Sequence, residues 1–286
     1  MRRLYVDGPL GQVHVTMAGS GPPLVLVGSA GRSARVFHGL IELMAPHFTV
    51  LVPDLPGCGN SDPPPAGFSM PTLAQAVVQV LDGLGIQAAH FYGFQTGNKI
   101  GAALGVGWPQ RVLRLVLAGQ SHSLVPDKHG RDSAILGNVA HYFDAAEMDD
   151  SARQAQLWAT GFRRISDIWW DGRLYSDPRG WAAFERAREA TVDRVQALPH
   201  AVATYAANFA YDLGADIARL TQPTLFLEVA TPAEDITPGR QGAKLLALLQ
   251  GAQLETFHEP DGPSHAVTLE RQYPRLAGLL RRLILE

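Results

Sequence analysis

The sequence predicts an α/β fold, a mostly parallel sheet with helices on both faces and one helical insertion. Three observations carry that expectation. Short apolar runs at Leu24-Val25-Leu26-Val27, Thr49-Val50-Leu51-Val52, Ala88-Ala89-His90-Phe91-Tyr92 and residues 113–118 read as strands buried on both sides. Helical apolar spacing at 73–84 and small-residue packing at 98–107 alternate with those runs, as crossovers between parallel strands require. Strand signals then vanish over 123–212 and resume at Thr224-Leu225-Phe226-Leu227-Glu228-Val229.

In chain order, residues 12–17 alternate in the manner of an antiparallel strand, and 19–23 form a Gly/Pro turn. The run at 24–27 ends in Gly28-Ser29-Ala30-Gly31, a loop of small residues. The run at 49–52 leads into Pro53-Asp54-Leu55-Pro56-Gly57-Cys58-Gly59-Asn60-Ser61-Asp62. The helix at 73–84 has Pro71 near its start and Gly85 at its end. The strand at 88–92 meets Gly93-Phe94-Gln95-Thr96-Gly97, followed by the helix at 98–107 and the strand at 113–118. The segment 123–212 is rich in Ala, Arg and aromatics, is broken by Gly172, Pro178 and Pro199, and holds Trp158, Trp169, Trp170 and Trp181. It reads as a separate helical cap, so the expected division is 1–122 and 213–286 for the core and 123–212 for the cap. A helix at 240–249, a strand at 253–257 and an amphipathic helix at 269–283 complete the core.

Composition narrows the function classes. With 286 residues, 46% hydrophobic and 18% charged, the chain can bury a large core as one α/β domain with insertions. A net charge of −3 gives no sign of a nucleic-acid or membrane-surface partner. Cys58 is the single cysteine, which excludes an internal disulfide and a cysteine-based zinc site. Met1-Arg2-Arg3-Leu4-Tyr5-Val6 has no apolar stretch of signal-peptide type after its arginines, and no uncharged apolar run approaches the ~18 residues of a spanning helix. A cytoplasmic protein acting on a small molecule is expected, with no metal or other cofactor and with its oligomeric state open.

Gly93-Phe94-Gln95-Thr96-Gly97 has the frame of a nucleophile elbow, Gly-x-Nuc-x-Gly between strand and helix, without an ordinary nucleophile. Glycines are needed because side chains would collide in so tight a turn. The central side chain is thrust into a pocket at the strand's C-terminal edge. Gln95 occupies that place, and a carboxamide does not form an ordinary acyl-enzyme.

Together these pieces resemble the α/β-hydrolase fold superfamily with a helical cap. The resemblance rests on Val27-Gly28, the Pro53-to-Ser61 stretch, the elbow, Trp108-Pro109-Gln110-Arg111-Val112, Glu234-Asp235-Ile236-Thr237-Pro238 and Gly262-Pro263-Ser264-His265, in that order and spacing. It covers nearly all of the chain outside the cap. The Gly-Phe-Gln-Thr-Gly form resembles a branch with Gln or His at the elbow. The family order of nucleophile, acid and histidine implies Gln95, Asp235 and His265 here. A carboxylate on imidazole fixes its tautomer and stabilises the imidazolium. Glu234 and Asp127 are alternative acids. An oxyanion hole is expected from the amides of Ser29 and Thr96, with Val27 standing where the family usually has His. Ser29 and His122 are candidate cleft residues, and Cys58 reads as a small buried filler.

Gln95 has two donors and one acceptor with which to orient a water or a substrate carbonyl beside His265. The expected activity is hydrolysis of a small, partly hydrophobic molecule by a His265–Asp235 general base. Cofactor-free lyase or isomerase chemistry and a non-catalytic ligand receptor are the alternatives. Thr96 as nucleophile is a further variant.

Overall fold

The strands are β1 (Arg2–Gly8), β2 (Gly11–Ala18), β3 (Pro23–Val27), β4 (Thr49–Pro53), β5 (Ala89–Phe94), β6 (Val112–Ala118), β7 (Thr224–Ala230) and β8 (Gln253–His258). The structure, a computed structural model, describes residues 1–119, 124, 129–130, 132–133, 188–189, 192–193, 195–232, 239–258 and 272–285. Among them the eight strands form one sheet in the order β1-β2-β4-β3-β5-β6-β7-β8. β1 pairs antiparallel with β2 and β2 with β4, and every other pairing is parallel. The expected α/β architecture is therefore present.

Period-two alternation divides the core. Leu24 and Leu26 of β3 face the layer built by α1 (His38–Met44) and the C-terminal helix Tyr273–Leu285, where Leu40, Ile41, Met44, Leu276 and Leu280 are buried. Val25 and Val27 face α2 (Met70–Gly83) and α3 (Thr96–Gly107), meeting Leu73, Val77, Ile100 and Leu104. Burying each such side chain stabilises the fold by about 1.5–3 kcal/mol. Further along, the described residues include α4 (Ala201–Ala210), α5 (Leu213–Ile217) and α6 (Gly242–Leu248), and the C-terminal helix is labelled α7.

Local chemistry sets the helix starts. α2 begins earlier than the apolar spacing indicates because Ser69 caps it. The Ser69 hydroxyl accepts the Thr72 N–H, Thr72 Oγ1 accepts the Ser69 N–H, and Pro71 sits in the first turn. Among these strands and α-helices, three were not expected from sequence: β1, α1 and α5. Only Val6 of β1 is buried, so no alternating pattern betrays it, yet β1 pairs with β2 along its length from Arg2↔Met17 to Gly8↔Gly11. Most of the expected cap, and residues 269–271 of the expected final helix, lie outside the described residues. The described part of 123–212 contributes no strand to the sheet. No described helix is long and apolar enough to cross a membrane.

The topology also fixes where a site belongs. The chain passes from β3 to β4 on one side, then crosses to β5 on the other, so the strand order reverses between β3 and β5. A crevice opens outside the C-terminal ends of strands at such a reversal. The Gly28 loop and the Gly93-to-Gly97 turn leave β3 and β5 at that point, with Val27 in register with Gly93.

Candidate active site

At the apex of the turn after β5, Gln95 adopts φ 52 and ψ −104. It is the only non-glycine with positive φ among the described residues. Such a conformation costs on the order of 1–3 kcal/mol and persists only where the surroundings over-determine it. Here they do. The Gln95 N–H donates to the Ala118 carbonyl at 2.9 Å, and the Gln95 carbonyl accepts from the Asn98 N–H at 3.1 Å. The Asn98 side-chain amide then ties the start of α3 to the end of β6 by donating to the Gly119 carbonyl at 3.1 Å. Steric demand explains the flanking glycines: a Cβ on Gly93 would overlap the Gly97 carbonyl, and one on Gly97 would overlap the Val27 carbonyl. Gln95 itself is half-buried.

The loop after β3 is stitched to the elbow by two bonds. The Gly28 carbonyl accepts the Gly97 N–H at 3.0 Å, and the Ala30 N–H donates to Thr96 Oγ1 at 3.1 Å. Thr96 thus brings the two turns together through its hydroxyl, a role the sequence reading missed when it weighed only the residue's amide and nucleophilicity. That hydroxyl belongs to a residue 4% exposed and already accepts a loop amide. The Thr96 amide opens the first turn of α3, where helical N–H groups have no intrahelical acceptor and carry the positive end of the helix dipole. The Ser29 carbonyl accepts the Arg32 N–H at 3.3 Å, while the Ser29 amide takes part in none of these loop bonds.

The loop after β4 forms the neighbouring wall. Asp54 is buried and accepts from the Ala34 N–H at 2.7 Å and the Asn60 N–H at 3.0 Å, and it pairs with His14 Nδ1 at 2.8 Å. Beside it, burial pushes the Cys58 thiol up to about 12, opposed by a backbone hydrogen bond from Gly31 and reinforced by the charges of Asp54 and Asp193. A thiol held protonated in this way is a packed filler rather than a nucleophile. On β7, Glu228 was read from sequence only as a strand residue. Its buried Oε1 accepts the Gln241 and Gly242 N–H groups at 2.8 and 2.9 Å, holding the start of α6.

Gln95, Ser29 and Thr96 are therefore brought to one place at the topological reversal. His265, Asp235, Glu234, His122 and Asp127 lie outside the described residues. No group of three or more His, Cys, Asp or Glu among the described residues is placed to hold a metal.

Comparison with known proteins agrees with this fold. Residues 22–228 match the family model for the alpha/beta hydrolase fold. The carbamate hydrolase candidate RutD of Stutzerimonas stutzeri is 28% identical over 251 residues, 85% of each chain. A pimeloyl-[acyl-carrier protein] methyl ester esterase of Aeromonas hydrophila is 34% identical over 112 residues, a match covering 38% of this chain and 42% of the esterase. A crystal structure of a hydrolase from Pseudomonas aeruginosa superposes with a TM-score of 0.71 at 24% identity, covering 98% of this chain and 97% of that one. The enol-lactonase of Burkholderia xenovorans has the same TM-score at 20% identity, covering 99% and 100%. The chain belongs to the α/β-hydrolase fold family, and hydrolase is its class.

Proposed function

We propose that this hydrolase works without a serine nucleophile: a His265–Asp235 pair activates water, the amides of Ser29 and Thr96 hold the oxyanion, and Gln95 orients the reactants. The observation that carries the reading is the strained backbone of Gln95, which presents a carboxamide at the position a nucleophile occupies in the Gly-x-Nuc-x-Gly frame.

In this mechanism His265 takes a proton from water as the oxygen adds to the substrate carbonyl carbon. The carbonyl electron pair moves onto oxygen, where the two amides stabilise it. Collapse of the adduct breaks the bond to the leaving group, which receives the proton from the imidazolium. Asp235 holds the imidazole tautomer and the transient positive charge. General-base catalysis supplies about 10²–10⁴-fold, and one oxyanion donor about 10²–10³-fold. The Gln95 amide contributes geometry, donating to the carbonyl or holding the water in line. The tryptophans of 123–212, the segment read from sequence as a helical cap, suit a small, partly hydrophobic substrate. Relatives named for methyl ester and carbamate hydrolysis support a carbonyl substrate with an oxygen or nitrogen leaving group.

The test is a panel of small esters and carbamates. His265→Ala abolishes turnover while leaving substrate affinity nearly unchanged, because the base acts chiefly in the transition state. Gln95→Ala lowers kcat by about 10–100-fold, the loss of an orienting group rather than of a proton acceptor. A ligand that binds tightly, emerges unchanged and loses only affinity on His265→Ala would replace the enzyme with a receptor. Stable fluorophosphonate labelling of Thr96 would replace general-base attack with a covalent route.

A further inference from the structure

We propose that Asp193 is a positioning residue of the active site, a latch that holds the loop after β3 in the shape presenting the Ser29 amide. The inference rests on the hydrolase reading through the oxyanion role of Ser29.

Asp193 has no solvent exposure. All the donors its carboxylate receives here come from one short stretch of the β3 loop. Oδ1 accepts the Ser33 hydroxyl at 2.6 Å and Arg35 Nη1 at 3.0 Å. Oδ2 accepts the Ser33 N–H at 3.1 Å and Arg32 Nε at 3.3 Å. Two donors on each oxygen fill the acceptor capacity of a carboxylate, and the guanidinium bonds are charge-assisted. A carboxylate buried without such partners is strongly unfavourable, so the loop and the segment carrying Asp193 fix each other.

Two further residues of that segment border the same walls. Ala197, four residues on, is buried against Gly31, where an added Cβ would stand 3.5 Å from the Ala197 Cβ. The His200 ring, seven residues on, borders Gly57 in the loop after β4, 3.0 Å from an added Cβ there. These two contacts lie on the two loops that frame the candidate oxyanion site.

Ser29 is thus suspended between two anchors. Gly28 and Ala30 are held by the elbow through Gly97 and Thr96. Arg32, Ser33 and Arg35 are held by Asp193. Ala34 has a separate bond to Asp54, which keeps the loop attached when Asp193 is altered. Loss of the latch therefore displaces the loop rather than unfolding it. Asp193→Asn is a suitable probe because a carboxamide puts an NH₂ where two of the four donors now point.

The experiment pairs hydrogen exchange with kinetics on p-nitrophenyl acetate and p-nitrophenyl butyrate. In Asp193→Asn, exchange in peptides covering 28–36 accelerates by about tenfold or more while the sheet keeps its protection. kcat falls by about 10–100-fold with KM within about twofold, since a misplaced amide is missed chiefly by the transition state. Ser33→Ala, which removes one donor, shifts both readouts in the same direction by less. Asp212→Ala serves as a structural control: it removes the cap of α5, where Asp212 accepts the Ala215 N–H at 3.0 Å, and lowers the melting temperature without changing exchange at 28–36 or kcat. Unchanged exchange at 28–36 in Asp193→Asn overturns the latch, as does acceleration spread evenly over the sheet. Failure of the wild type to hydrolyse any ester or carbamate defeats the hydrolase reading instead, and the exchange pattern still decides whether Asp193 holds the loop.

Discussion

The elbow after β5 and the loop after β4 turn the chain through nearly the same φ, 52 at Gln95 and 54 at Gly59, but fill the position oppositely. The β4 loop assigns its left-handed positions to Gly57 and Gly59 and buries its one reactive atom, the Cys58 sulfur. The elbow assigns its apex to a glutamine and leaves that unreactive side chain half-buried at the crevice. Glycine at Gly59 is a structural requirement, because a Cβ there would overlap Asp54 Oδ2. Glycine at the apex would relieve strain, so nothing in the backbone calls for Gln95. The contrast teaches that the β4 loop is built to hold the wall and the elbow to display a side chain.

The largest expected effect breaks the wall. Gly59→Ala forces a methyl group onto a carboxylate that cannot retreat, since Asp54 is fixed by Ala34, Asn60 and His14. Positive φ adds about 1–2 kcal/mol and disruption of a buried, hydrogen-bonded carboxylate about 3–5 kcal/mol. Urea unfolding should show a loss of about 4 kcal/mol or more. A loss under about 1 kcal/mol would mean that the loop relaxes freely and that the contrast with the elbow is false.

The same contrast explains what could be read from sequence. The elbow and its flanking strand and helix were legible because sterics dictate glycines at a fixed spacing, and the parallel strands were legible because burial on both faces leaves continuous apolar runs. α1 escaped notice because His38–Met44 is too short for a helical period to declare itself. β1 escaped because its partner, rather than a buried face, makes it a strand. The Thr96 hydroxyl meets an amide 66 positions earlier in the chain, and Asp193 gathers donors 158 to 161 positions earlier. No local pattern encodes contacts of that range. Gln95, Ser29 and Thr96 were singled out by their motifs, and the structure adds the bonds that join the two turns carrying them.

A second, smaller effect sharpens the view of Cys58 as filler. Burial raises its thiol from 9.0 to about 12, so the folded state favours the protonated form. The sign follows: this contribution to stability is complete below pH about 9 and is lost as pH rises toward about 12. Comparing the unfolding free energies of wild type and Cys58→Ala isolates it from the tyrosines and lysines that titrate in the same range. The difference should be flat from pH 6 to 8.5 and move against the wild type by about 2 kcal/mol by pH 10.5. A flat difference throughout would show that the thiol ionises freely, and rapid reaction with a thiol reagent at pH 8 would make it an exposed nucleophile rather than part of the wall.

The smallest effect on stability carries the most information about the elbow. Gln95→Gly removes a strained φ worth about 1–3 kcal/mol but adds about 0.5–1 kcal/mol of unfolded-state entropy. The variant should therefore unfold at equal or slightly higher denaturant, a gain of about 1 kcal/mol, because the main-chain bonds to Ala118 and Asn98 do not depend on the side chain. Activity moves the other way. With the carboxamide gone, kcat should fall by about 10–100-fold, as for Gln95→Ala. Stability that rises while turnover falls is the signature of a residue held in strain for what it presents to the crevice. If Gln95→Gly instead loses stability and keeps its turnover, the side chain supports the elbow, and the difference between the two turns is one of packing alone.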